Sequence, residues 1–439
     1  MTIGRFIPVL NRHSCNRQSG NNLPIFQSTN LPILRATILI ALLSTPLAAV
    51  LAASDWPQFL GPSRNGVYAG AALNEKWPAA GPRLLWRKEI GQGLSGPVVA
   101  GKRLILFHRV DDREIVESLD ALTGAPQWRH AYPTTYRDDF GFDEGPRAVP
   151  VVADGIVYTY GAEGKLHAVD VMTGKPVWNV DAMRQFEVEK GFFGAAGSPL
   201  VESGRVIANI GGKKAGIVAF DAKTGKVVWT ATADAASYSS GVAATILGSR
   251  YAVFFTRAGL VGLDPASGQV RFQRPWRARQ AASVNAATPI VVGNTIFVSA
   301  EYGPGAGALQ FDGAKFADLW LSDEVLSNHY ATSVFHEGTL YGFHGRQEFG
   351  PVFRAVDLQS GKVLWSTDRF GAGSVTLAGN RLVIVRESGE LVLAAASPKS
   401  FQQIAAAQVL PATVRAYPAL SDGVLYLRND NTLVALDLR

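Results

Sequence analysis

The sequence predicts an all-β chain folded as an eight-bladed β-propeller with four antiparallel strands per blade. Three observations point there: a gapless repeat in which an Asp precedes a bulky aromatic by eight residues, pairs of further strand-like runs between the repeats, and an incomplete unit at each end. Composition agrees. With 47% hydrophobic residues, 18% charged residues and 45 glycines among 439, the chain reads as globular and rich in turns, and not as a disordered, collagenous or multi-spanning membrane protein.

Five segments align: VESLDALTGAPQW ending at Trp128, LHAVDVMTGKPVW at Trp178, IVAFDAKTGKVVW at Trp229, LVGLDPASGQVRF at Phe272 and FRAVDLQSGKVLW at Trp365. A sixth, ALQFDGAKFADLW at Trp320, keeps the ends and loses the middle. The Asp residues are Asp120, Asp170, Asp221, Asp264, Asp312 and Asp357. Before the Asp, apolar and small residues alternate with the period of a half-buried strand. The Asp carboxylate can accept backbone N–H groups of the turn it opens, and the Gly supplies the positive φ that returns the chain antiparallel. The aromatic then anchors the returning strand by burying a large apolar surface. Each unit is the outer hairpin of a small sheet.

Between the hairpins lie segments such as SGPVVAGKRLILF and ATPIVVGNTIFVS, which read as two more strands joined at a Gly-containing turn. A seventh unit is degenerate, with Ala395 where the Asp should stand. An eighth reaches Asp437 and stops at Arg439 without its aromatic strand. The missing strand is RLLWRKEIG around Trp86, which has no Asp hairpin before it. Pairing of this N-terminal strand with the C-terminal blade closes the ring and hides the sheet edges. The 354 residues from Trp86 onward give about 44 per blade. The expected organisation is a leader over 1–53, an N-terminal arm over 54–85 packing on the propeller, and the propeller itself over 86–439.

Residues 36–53 form an uncharged apolar run after Arg35 that ends in small residues, the layout of a secretory signal peptide with Val50 and Ala52 at the cleavage motif. An uncleaved anchor is the alternative reading. Cleavage leaves no membrane span and implies an exported, periplasmic, envelope-associated or extracellular protein. The only cysteine, Cys15, lies in the leader, so the mature chain has no disulfide and no cysteine-based metal or redox site. The formal charge of +6 arises largely from the leader, whose four arginines face no acid. The remaining 38 basic groups meet 36 acidic ones, which gives no electrostatic footprint for nucleic acid.

The Asp-x-x-Thr-Gly-x-x-x-Trp units resemble the tryptophan-docking repeats of pyrroloquinoline quinone (PQQ) propellers, a family that includes quinoprotein dehydrogenases and the outer-membrane assembly lipoprotein BamB. The opening DWPQFLGPSRNGVY is similar to the lead-in of exported PQQ-binding-like propeller repeat proteins. The resemblance implies that a family enzyme would hold its quinone on the axis between a Trp floor and a disulfide of adjacent cysteines, with Ca²⁺ on Glu, Asn and Asp. The missing cysteines speak against that arrangement here.

A site is expected on the face opposite the Asp turns, where the links between blades and the middle hairpin loops converge on the axis. Residues just before each axial strand make the candidate ring: Arg147, Ser198, Ser239, Asn285, His329, Ser374 and Arg415. The middle loops add Arg257, Glu301, Arg346, Glu348, Arg386 and Glu387. Arg147, Ser239, Asn285, His329, Arg346, Glu387 and Arg415 form the expected ligand-binding set. Asp138, Asp139, Asp143 and Glu144 cluster in the long link 132–147 without the spacing of a dedicated Ca²⁺ loop. No Walker, G-x-S-x-G or H-E-x-x-H motif occurs. The expectation is a monomeric, non-catalytic module of the cell envelope that binds a protein or a small polar ligand, with no catalytic residue, no metal and no certain cofactor. The alternative is a PQQ- and Ca²⁺-dependent dehydrogenase of alcohols or sugars.

Overall fold

The computed structural model describes residues 54–277, 280 and 285–439, so the leader expected over 1–53 and Cys15 lie outside the described residues. Eight sheets of four antiparallel strands follow one another among the described residues, the seventh carrying one added parallel strand. Blades 1 to 7 occupy residues 98–133, 151–181, 200–231, 242–275, 290–322, 334–367 and 373–408, and blade 8 combines 419–437 with the strand Arg83–Glu89. That strand pairs antiparallel with Thr432–Asp437, setting Trp86 opposite Ala435, and Arg83 reaches Asp437 at 2.7 Å. The ring is thus closed by the N-terminal strand.

The Asp turns form as the chemistry requires. Asp170 Oδ1 accepts the backbone N–H groups of Met172 and Thr173 and the Thr173 hydroxyl, at 2.7–3.1 Å. Asp120, Asp221 and Asp264 accept backbone N–H groups in the same way. The docking aromatic does more than anchor its own hairpin. Trp178 sends its indole N–H to the Ala222 carbonyl of the next blade at 2.9 Å, and Gly225 of that blade leaves room for the ring: a Cβ there would lie 2.8 Å from Trp178. Trp86, Trp128, Trp229, Trp320 and Trp365 donate likewise to Ala121, Val171, Pro265, Leu358 and Ser397. The core therefore sits between blades, as in the cluster that joins Tyr158 and Trp178 of blade 2 to Val206 and Phe220 of blade 3. Blade 7 lacks both parts of the motif. Its pair is inverted, with Leu393 opposite Ala405 where blade 2 sets Ala168 opposite Trp178.

The short first strands of neighbouring blades touch around the axis, as in blades 8, 1, 2, 3 and 4. Residues 54–68 thread this axis from the face of the Asp turns. Ser54 and Asp55 meet Asp422 and Gly101 in first-to-second-strand turns of blades 8 and 1. Trp56 bridges Val99, the Pro57 carbonyl accepts the Val152 N–H, and Val67–Tyr68 lies parallel to the first strand of blade 7. Trp56, Leu60 and Tyr68 are buried, and Gly61 turns the tip at φ 79° against the Trp56 ring. Arg64, 3% exposed, gives its guanidinium N–H groups to the carbonyls of Ser198, Pro199 and Gly241 and to Gln58. Burial pulls its pKa down to about 9. The fold is held by this plug as well as by its rim.

Candidate axial binding site

Antiparallel alternation puts the links between blades on the face opposite the Asp turns. There they surround a cavity of about 260 Å³ on the axis. Its wall carries Leu94, Arg147, Ser198, Ser240, His329 and Arg415 from entries to successive blades, and Phe59 comes from the plug. Phe59 meets Tyr417 edge to face at 4.9 Å. Aromatic side chains dominate the remainder: Phe142, Phe193, Tyr238, Tyr302 and Tyr330.

The polar groups are fixed by short networks. Arg415 Nε holds Glu387 at 2.8 Å, and the Tyr330 hydroxyl donates to the same carboxylate oxygen. The Arg415 guanidinium lies 5.6 Å from the Phe142 ring centre. Arg147 faces Asp138 at 3.3 Å and stands 5.8 Å from Phe193. His329 accepts the Gln347 N–H at Nδ1, 3.4 Å away, so its proton sits on Nε2 and is given to the Tyr302 hydroxyl at 2.9 Å. Burial lowers the His329 pKa, which keeps the ring neutral. Tyr302 has φ 73°, a region that bulky residues rarely occupy, so its ring is placed by its surroundings. Arg346 stacks over that ring at 4.8 Å and holds Glu348 at 3.0 Å.

Of the expected set, Arg147, His329 and Arg415 line the cavity, Glu387 stands behind Arg415, and Arg346 stands beside Tyr302. Ser239 and Asn285 do not reach it. The Asn285 side-chain amide N–H groups go to the carbonyls of Thr256 and Trp276, and its backbone carbonyl accepts the N–H groups of Tyr238 and Ser239, so both residues fasten the entry to blade 4. Ser198 and Glu348 also line the cavity, whereas Ser374 is buried within a strand and Arg386 pairs with Glu390. Sequence reading missed Phe59, Tyr238 and Tyr302, whose rings arrive from the arm and from loops with no repeat spacing. The carboxylates of the 132–147 link are dispersed onto separate partners: Asp138 on Arg147, Asp139 on Lys190 and Glu144 on Arg109 and Arg137. Among the described residues no three His, Cys, Asp or Glu side chains converge on a metal position.

An eight-sheet ring with indole docking between blades is the architecture of a PQQ-type propeller. The family described as "Outer membrane protein assembly factor BamB" matches residues 112–349 and 348–439, and the chain belongs to that family. Among solved structures it is similar to BamB from Moraxella catarrhalis (TM-score 0.58, 16% identity, 81% of this chain and 98% of that one). It is similar also to the quinohemoprotein alcohol dehydrogenase of Comamonas testosteroni (TM-score 0.62, 16% identity, 88% and 80%). A curated relative, the dehydrogenase subunit of the quinone alcohol dehydrogenase of Komagataeibacter europaeus, is 35% identical over 124 residues, 26% of this chain. That match spans only 16% of the relative.

Proposed function

We propose that this propeller is an exported, non-catalytic binding module of the cell envelope that receives a ligand or partner at its axial mouth. The observation that carries the reading is the combination at that mouth of an aromatic wall with cationic and hydroxyl groups, over a floor made by the chain's own Phe59. The plug leaves the mouth face as the approach to this cavity. BamB, named for outer-membrane assembly, supports an envelope role for this relative of it.

The alternative is a PQQ-dependent oxidation, favoured by the quinone dehydrogenases among the relatives. The residues present fit a Ca²⁺-held quinone poorly. Glu348 and Glu387 are each closed by an arginine, the floor is Phe59 and Tyr417, and residues 54–439 contain no cysteine. Reconstitution with PQQ and Ca²⁺, followed by dye reduction with a panel of alcohols and sugars, tests the choice. No turnover above the protein-free blank is expected; turnover that saturates with PQQ overturns the reading.

A further inference from the structure

The hydrogen-bond roles around the axial cavity are lopsided. Ser198 Oγ accepts the Val149 N–H at 2.8 Å and Ser240 Oγ the Ser198 N–H at 3.0 Å. Tyr238 Oη accepts the Phe193 N–H at 3.1 Å, and Tyr302 Oη accepts the His329 Nε2–H at 2.9 Å. Each of these four hydroxyls thus meets a protein donor with a lone pair, and its own hydrogen has no partner among the described residues. Burial raises the pKa of both phenols, so they keep their protons. Arg415 adds to the excess of donors. Its Nε is held by Glu387, while its two terminal nitrogens have no protein partner among the described residues. The one carboxylate on the cavity wall among the described residues, Glu348, is turned to Arg346. A cavity so supplied with donors, walled by aromatic rings, suits an oxyanion attached to a flat apolar group.

The apolar surface at the mouth extends beyond the cavity. Phe142 on its wall is 60% exposed, and beyond it Phe140 is 53% and Phe349 78% exposed. These rings lie on the mouth face, with Arg346 5.1 Å from the Phe349 ring centre. A single-ring acid inside about 260 Å³ leaves this apolar rim in water, whereas a chain that enters the cavity by its end crosses the rim on the way out. We propose that the axial mouth captures the C-terminus of a partner polypeptide whose last residue is aromatic. The α-carboxylate meets Arg415 and the Ser and Tyr hydroxyls, the terminal ring packs above Phe59, and the preceding residues lie across the Phe140–Phe142 edge. This inference rests on the reading of the axial mouth as a binding site and names what that site takes.

The test uses the full-length processed protein and a fluorescent hexapeptide Gly-Ser-Gly-Ser-Gly-Phe, made as the free acid and as the C-terminal amide, with calorimetry as a second readout. The free acid is expected to bind, and amidation to weaken binding by about tenfold or more, the worth of a charged hydrogen bond. Ending the peptide in Ala should weaken it similarly. Arg415→Gln is expected to erase the difference between acid and amide, Arg415→Lys to restore part of it, and Tyr302→Phe to cost a few-fold. An unchanged melting temperature shows that each variant is folded. Equal binding of acid and amide, or none at about 1 mM peptide, overturns the inference. If benzoate then binds where the peptide does not, the axial site stands and its occupant was wrongly named; if PQQ and Ca²⁺ give turnover, the binding-module reading itself has failed.

Discussion

The seam between blades 2 and 3 and the seam between blades 7 and 8 are closed by different parts of the chain. At the first, Trp178 of one blade docks on Ala222 and Gly225 of the next, so every component belongs to the repeat. At the second, blade 7 offers Ala405, and the gap is met from outside the repeat. Leu73 and Trp77 of the arm pack in the same cluster as Ala405 and the core of blade 8. Asn74 bonds the Leu438 carbonyl of blade 8, and Glu75 pairs with Arg381 of blade 7. A degenerate blade is thus tolerated because the arm supplies the missing ring. The arm is a working part of closure, and its axial segment also makes the floor of the axial cavity.

The sharpest way to break this comparison is to remove the docked ring. Trp178→Ala should cost about 3–5 kcal/mol, the range for a buried Trp, measured by denaturant unfolding. A loss below about 1 kcal/mol would show that the repeat lock is not what joins the blades. A second docked seam carries a titration. His167 of blade 2 is stacked on Tyr132 of blade 1 at 3.8 Å and meets His130 at 3.2 Å. Burial first, then the neighbouring cation positions, depress its pKa to about 3. The unfolded chain takes up this proton near pH 6.5 and the folded chain does not. Its contribution to stability is therefore complete above about pH 6.5 and falls by about 1.4 kcal/mol per unit as the pH drops toward 3. His167→Phe should flatten that acid limb by one proton; an unaltered slope would place the acid sensitivity elsewhere.

How far these features were legible follows from the same contrast. The Asp turns, the docking Trp and the pairing of Trp86 with the last strand recur at fixed spacing, and local turn chemistry writes them into the residue order. The arm has no repeat. Arg64 sits in a stretch that reads as a polar turn, yet it is buried because its acceptors are carbonyls of blades 3 and 4, more than 130 positions away. Arg147, His329 and Arg415, each placed before an axial strand, line the cavity. The same rule failed for Ser239 and Asn285, because position along the chain does not say whether a side chain faces the axis or satisfies its own backbone. Phe59 and Tyr302 carried no spacing signal at all.

Smaller effects sharpen the account of the arm. Trp77→Ala, at a half-buried ring, should lower stability by about 1–2 kcal/mol and should do so without changing the docked seams, a distinction that hydrogen exchange at blades 7 and 8 against blades 2 and 3 can make. Exposure confined to blades 2 and 3 would contradict it. Smaller still is Arg83→Ala. Asp437 holds its proton weakly because Arg439 and then Arg83 hydrogen-bond its carboxylate, but the Arg83 side chain is 71% exposed. The pair should contribute under about 1 kcal/mol and lose most of that in high salt. A larger loss would mean that closure depends on this ion pair and not on strand pairing.

The claim that the mouth face is the functional one is tested most directly by photo-crosslinking from each face of the intact protein in its native cells. A photoreactive residue in place of Phe349, 78% exposed at the mouth, is compared with one in place of Met172, 61% exposed in an Asp turn on the opposite face. The account predicts a discrete adduct from position 349 that is lost with Arg415→Gln, and none from position 172. Adducts only from position 172, or adducts at 349 indifferent to Arg415, would contradict it.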